Sequence, residues 1–172
     1  IVDFTGSPAF GLWLEQNCPG KLVYTETAGC NSVVIESTDN LQAMAAAIAH
    51  SLCQASAQMC TSVQNIHIPA GGIEAAGVRV SFDEVAAAIV AAVDRHLENP
   101  QVLCGTLVDA NILETIERYR GLAGEHGRLL RDSGPLDYAD FPRARTASPL
   151  ILEVTESARD IYRDEIFGPV SF

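Results

Sequence analysis

No apolar run in the 172 residues approaches the ~18 consecutive apolar residues of a membrane-crossing helix. The opening Ile1-Val2-Asp3-Phe4 has no basic start and no extended apolar core, so it does not read as a signal peptide. Basic residues are scarce. Eleven Lys and Arg, scattered along the chain, face 22 Asp and Glu, which gives a net charge of -11. Phosphate-backbone binding needs clustered cations, so neither a nucleic acid nor an anionic membrane surface is expected as a partner. Also missing is any C-x-x-C pair. The 5 cysteines, at positions 18, 30, 53, 60 and 104, are odd in number. That argues against a disulfide framework and a zinc site, and no metal site is expected. The cysteine usage fits a reducing cytoplasm. The four histidines, His50, His67, His96 and His126, are dispersed, and no Cys–His pair can be argued from their spacing. Internal repeats and low-complexity tracts are absent.

What is present is apolar residue in quantity, 48% of the chain. That suffices for the core of one domain, or of one large piece of a larger protein. Ile1–Phe4 reads as a short buried strand. Ser7 and Pro8 then supply an N-cap and a first helical residue for a helix over 9–16. The free N–H groups of such a start can hold an anion, although an ordinary strand–turn–helix corner looks the same. Strands are expected at 21–25 and 32–36. Thr38-Asp39-Asn40 caps a helix over 41–54, whose face carries Leu41, Met44, Ala45, Ile48 and Leu52. A β-type run spans 63–68. Ser81 and Glu84 form a capping box for a helix over 82–97, with Val85, Ala88, Ile89, Ala92 and Val93 on one face. A strand or extended segment is expected at 102–108 and a helix from Asp109 to about Ala123. A turn at 124–127, a short strand at 128–130, a polar surface loop at 132–148 and a strand at 148–154 complete the pattern. Strands alternate with helices, the mark of an α/β fold with a mainly parallel sheet flanked by helices.

One stretch stands out against this background. Ser56-Ala57-Gln58-Met59-Cys60-Thr61-Ser62 joins a helix to a strand, so Cys60 can meet solvent and a substrate. By type alone a free cysteine is more often buried and inert. Glu26, at a strand end beside Gly29, can serve as a general base, although a carboxylate so placed is far more often a solvated loop charge.

Four segments, in order, resemble motifs of the aldehyde dehydrogenase family. Phe4-Thr5-Gly6-Ser7 resembles its F-T-G-S turn, and Glu26-Thr27-Ala28-Gly29 its E-L-G-G segment. Gln58-Met59-Cys60 resembles its G-Q-x-C motif, and Glu165-Ile166-Phe167-Gly168-Pro169-Val170 its E-I-F-G-P motif. The interval from Glu26 to Cys60 is the family's usual one. Departures occur at Ala28 and Ala57, where the family has glycine, and at Cys30, where it has lysine. Met59-Cys60-Thr61 with Gln64-Asn65 and Cys30-Asn31 is most similar to the phenylacetate-degradation branch.

The resemblance implies an aldehyde-dehydrogenase-like catalytic domain and oxidation of an aldehyde to an acid with NAD or NADP. It makes Cys60 the nucleophile, forming a thiohemiacetal and then a thioester, and Glu26 the base that activates the hydrolytic water. It makes Glu165 and Phe167 contacts of the nicotinamide ribose, with Ser7, Gly6 and Thr27 also on the cofactor side. Residues 1–20 would close a cofactor-binding half, and 21–172 would form a catalytic domain truncated at its C-terminus. The cofactor half and an oligomerisation strand would lie outside the chain, and the parent would be a cytoplasmic homo-oligomer. Two alternatives stay open. Coenzyme A could replace water as acyl acceptor, or the isolated segment could be a non-catalytic domain.

Overall fold

The computed structural model describes residues 1–27, 29–99 and 107–172. Strand β1 (Val2–Thr5) leads into helix α1 (Pro8–Asn17) and strand β2 (Val23–Glu26). β1 and β2 pair in parallel, Val2 opposite Val23 and Thr5 opposite Glu26. This βαβ unit takes in residues 21–26, so the domain boundary expected at residue 20 falls inside it. β1 is half-exposed rather than buried, with alternate residues facing solvent. Ser7 holds the N-cap position of α1, but its hydroxyl makes no cap hydrogen bond.

The remaining strands are short. β3 (Ser32–Val34) pairs in parallel with β5 (Asn65–His67), and β4 (Ser37–Thr38) in parallel with β6 (Ile73–Ala75). β6 turns back on β7 (Val78–Val80) as an antiparallel hairpin. β9 (Leu150–Val154) lies between β8 (Gly127–Arg131), antiparallel, and β10 (Val170–Ser171), parallel. Two backbone bonds join these pieces. Phe172 donates to the Gln64 carbonyl at 2.9 Å, and Ile66 donates to the Phe172 carbonyl at 2.7 Å. The β3–β5 pair and the β10–β9–β8 sheet therefore run on into each other. The single sheet expected from sequence is a series of short ladders, most of them parallel.

Helix α2 (Leu41–Cys53) packs on α3 (Phe82–Leu97), with Leu52, Val85 and Val93 at 0% exposure between them. Burying each such side chain is worth about 1.5–3 kcal/mol. The five apolar positions expected on each helix all belong to this core or pack against it. Both bonds of the Ser81–Glu84 capping box form. The Asn40 side chain accepts from Ala43 N–H at 3.0 Å. A second core gathers under helix α4 (Ala110–His126), where Ile116, Tyr119 and Ala123 meet Leu150, Leu152 and Phe172.

Two further expectations need correction, and two elements are additions. α4 runs through Gly124 to His126, because the buried face that ends in Ala123 carries the last turn with it. The 132–148 loop is not wholly a surface loop: Thr146, Ala147 and Ser148 are buried, and Leu136 N–H donates to Thr146 Oγ1 at 2.8 Å. The β6–β7 hairpin was not expected. Its turn, Ala76-Gly77, has φ of 49° and 79°, the left-handed pair that a two-residue hairpin turn requires. A single helical turn, α5 (Arg159–Tyr162), precedes the Glu165 segment. The strand expected at 102–108 falls almost entirely outside the described residues. No helix among the described residues is long and apolar enough to cross a membrane.

Candidate active site

The site is assembled where three segments meet: the loop after β2, the turn before β5 and the stretch before β10. Cys60 lies in the turn and is exposed, while Cys53, at the end of α2, is the buried thiol among the described residues, at 0% exposure. The buried-cysteine alternative therefore describes Cys53 and not Cys60. The chain reaches Cys60 through Ala55, Ser56 and Ala57, all three left-handed with φ of 52°, 54° and 52°. Non-glycine residues adopt this conformation at a cost of about 1–2 kcal/mol each, and such strain concentrates at functional sites. Ala57 is the position at which the family pattern has glycine, and its φ gives the conformational reason.

Asn31 braces the turn. Its Nδ2 donates to the Cys60 carbonyl at 2.6 Å and to the Ser62 carbonyl at 3.1 Å. Its backbone carbonyl accepts from the N–H groups of Gln64 and Asn65, each at 3.0 Å. Gly29 backs the same turn, since a Cβ placed there would stand 3.2 Å from the Cys60 carbonyl oxygen.

The Glu165 segment closes the other side. Gly29 N–H donates to Glu165 Oε1 at 3.1 Å. The buried Gln64 carboxamide fastens the backbone around it, donating to the Asp164 carbonyl at 3.0 Å and accepting from Ile166 N–H at 2.7 Å. Asn65 Nδ2 adds a bond to the Tyr162 carbonyl at 3.0 Å and one to Cys30 Sγ at 3.2 Å. Burial raises the Cys30 thiol pKa, opposed by the Asn65 bond and assisted by the negative charges of Asp164 and Glu165. Cys30 is thus held as a neutral thiol and donates to the Tyr162 carbonyl at 3.2 Å. Gly29, Met59, Ser62, Gln64, Glu165 and Phe167 line one small cleft. A cavity of about 820 Å³ lies elsewhere, between Ile66–Ile68 and Leu152–Glu156, and contains none of the expected site residues.

Glu26 is exposed at the end of β2, paired with Thr5. Among the described residues no hydrogen bond joins its carboxylate to Cys60. Gly6, Ser7 and Thr27 follow directly on the C-terminal ends of β1 and β2, the usual ligand edge of a parallel βαβ unit. Phe167 is 52% exposed. The structure thus joins Cys60 to Glu165 through Gly29 and Asn31. Glu26, Gly6, Ser7 and Thr27 form a second group at the strand ends. Asn31 and Gln64 are the organisers that sequence reasoning did not assign a role. Their one signal was the placing of strongly polar residues at the starts of strands. Among the described residues no group of three or more His, Cys, Asp or Glu is placed to hold a metal ion.

An exposed thiol on a strained turn, braced by Asn31 and linked through Gly29 to the Glu165 segment, is the candidate site of this α/β chain. The whole chain, residues 1–172, matches the model of the aldehyde dehydrogenase family, and it belongs to that family. An NAD-dependent aldehyde dehydrogenase from Burkholderia multivorans is 43% identical in its crystal structure, with a TM-score of 0.92 over 99% of this chain and 30% of that one. An NAD-dependent benzaldehyde dehydrogenase from Corynebacterium glutamicum is 26% identical, with a TM-score of 0.67 over 98% of this chain and 35% of its own. The N-succinylglutamate 5-semialdehyde dehydrogenase of Erwinia tasmaniensis is 28% identical over 174 residues, 98% of this chain and 34% of its own length. The chain thus spans about a third of the length of the relatives it matches.

Proposed function

We propose that this chain carries the nucleophile and part of the cofactor-contacting surface of an enzyme that oxidises an aldehyde to an acid. The observation that carries the reading is the bonded path from the exposed Cys60 turn, through Asn31 and Gly29, to Glu165. Cys60 Sγ, as thiolate, adds to the aldehyde carbonyl carbon, forming the C–S bond of a thiohemiacetal. The Cys60 backbone N–H helps to hold the oxyanion. A nicotinamide cofactor, when bound, supplies the acceptor for the hydride that leaves this carbon as the thioester forms. Glu26 takes a proton from water as the water adds to the thioester, and the C–S bond breaks to return the thiolate.

The residues fit such a cofactor at three points. Ser7 has a hydroxyl not spent on capping, at the start of a ten-residue helix where N–H groups attract phosphate. Glu165 presents a carboxylate beside the turn. Phe167 is half-exposed next to it. NAD is the cofactor we assign, since two of the relatives above, from Burkholderia multivorans and Corynebacterium glutamicum, are named as NAD-dependent. We also propose that β1 and α1 belong to a cofactor-binding half and that the part from the Glu26 end of β2 onward is catalytic. The phenylacetate placement draws no support from the curated relatives named above, and the aldehyde is proposed at the level of class.

The test is the full-length protein assayed with an arylacetaldehyde and with an anionic semialdehyde. Cys60→Ala should abolish NADH formation with both substrates; retained turnover would sink the reading. Glu26→Gln should leave the NADH burst and slow the steady state, and equal rates before and after the burst are the contrary outcome. Product analysis with and without coenzyme A identifies the acyl acceptor, and free acid in both cases supports Glu26 as the water-activating base.

A further inference from the structure

We infer that Asn31 is the positioning residue of the nucleophile turn: its carboxamide fixes the Cys60 carbonyl, and with it the direction from which the thiol meets a bound carbonyl. The inference rests on the reading of Cys60 as nucleophile. A carboxamide has two N–H donors. Both are spent on the turn, at the Cys60 carbonyl (2.6 Å) and the Ser62 carbonyl (3.1 Å), while the Gly29 carbonyl at 3.5 Å stands at the limit of bonding. These two carbonyls flank Thr61, so one side chain spans the apex of the turn. Holding the Cys60 carbonyl sets the ψ angle of the nucleophile, and so the relation of its side chain to the peptide that follows.

The turn needs such a brace. It is entered through three consecutive left-handed residues, Ala55 to Ala57, whose strain relaxes if the loop is free to move. Its other bonds lie on either side of Cys60: Gln58 N–H donates to the Ala55 carbonyl at 3.1 Å, Ser62 N–H to the Met59 carbonyl at 3.0 Å and Val63 N–H to Ser51 Oγ at 3.1 Å. The bonds from Gln64 and Asn65 N–H go to the Asn31 backbone carbonyl, which a side-chain substitution leaves in place. The β3–β5 pairing thus persists when the carboxamide is removed, and the effect falls on the turn. Gly29, whose N–H is bonded to Glu165, stands against the same Cys60 carbonyl. The brace therefore also fixes the nucleophile relative to the Glu165 segment.

Asn31→Asp keeps the shape and removes both donors, and Asn31→Ala removes the group. In the full-length protein both variants should lower kcat by about 10- to 100-fold, the range expected for a small misplacement of a reacting group. KM for the aldehyde should stay within about twofold, because the lost interaction orients the reacting atom rather than binds the substrate. A kcat within about twofold of wild type for Asn31→Asp would overturn the inference, since donation would then have no role. So would a rise in KM that accounts for the whole loss of kcat/KM, or loss of the folded state in both variants, which would assign Asn31 to stability. Cys60→Ala in the same assay separates the two readings. Turnover retained there removes Cys60 as nucleophile, whereas an inactive Cys60→Ala leaves the Asn31 variants to bear on Asn31 alone.

Discussion

Replacing Gln64 by leucine tests the clamp that holds the Glu165 segment. The side chain is 4% exposed, and leucine, branched one atom nearer the backbone, puts an apolar group in place of its carboxamide. Two backbone groups lose their partner, the Asp164 carbonyl (3.0 Å) and Ile166 N–H (2.7 Å). The Tyr162 carbonyl keeps its bond from Asn65. A buried group left unpaired costs about 1–3 kcal/mol, and both groups here are part-buried, so the low end applies. Added apolar burial returns about 1 kcal/mol, which leaves a net loss of about 1–2 kcal/mol. For a chain of this size that is a fall in Tm of roughly 2–8 °C, read by circular dichroism at neutral pH. Gln64→Glu supplies a sign test. It keeps an acceptor for Ile166 but sets a carboxylate against the Asp164 carbonyl, so its folded pKa is raised above the ~4.3 of the unfolded chain. Its deficit relative to wild type should therefore shrink as pH falls through that raised value, because the protonated acid can donate. A Tm change under about 1 °C in Gln64→Leu, or a Glu variant whose deficit ignores pH, would refute the clamp.

Gly29→Ala should crowd the Cys60 carbonyl from 3.2 Å and move the turn by a few tenths of an ångström. The expected result is about a tenfold fall in kcat with a small fall in Tm, and unchanged activity would contradict the proposed backing of the turn. Burial first, and the neighbouring acids after it, raise the Cys30 pKa. Its stabilising contribution is then complete below the unfolded value of about 8.5 and is lost as pH rises through the folded value. Cys30→Ala should flatten that alkaline loss, and identical alkaline melting curves would count against it. Glu84 is held below the usual carboxylate range by the Ser81 hydroxyl and then by the Ser81 N–H. Its stabilisation is present above the unfolded value of about 4.3 and fades as pH falls through the lowered one, so Ser81→Ala should weaken the acid dependence of melting. An unaltered acid limb would show that the box contributes nothing.

The parts of the fold written in local chemistry were legible in the sequence. The bounds of α3 follow from a capping box whose partners are three residues apart and from a face repeating at helical spacing. The same holds for the Asn40 cap of α2 and for the turn that carries Cys60. Where local signals conflict with burial, they misled. Gly124 reads as a stop, yet the face ending in Ala123 keeps α4 helical to His126. The 132–148 stretch reads as polar loop, yet Thr146 to Ser148 lie inside.

Sequence by itself determined helices α1 to α4, the alternation of strand and helix, the family pattern and the residues proposed to do chemistry. Tertiary structure alone decided which of them meet. The Asn31–Cys60 bond spans 29 residues and the Gly29–Glu165 bond spans 136. A cap or an amphipathic face is encoded within a turn or two of chain, where geometry is fixed by the backbone. A carboxamide such as Asn31 or Gln64 has no preferred partner until folding brings distant carbonyls within about 3 Å and removes the water that would otherwise serve them.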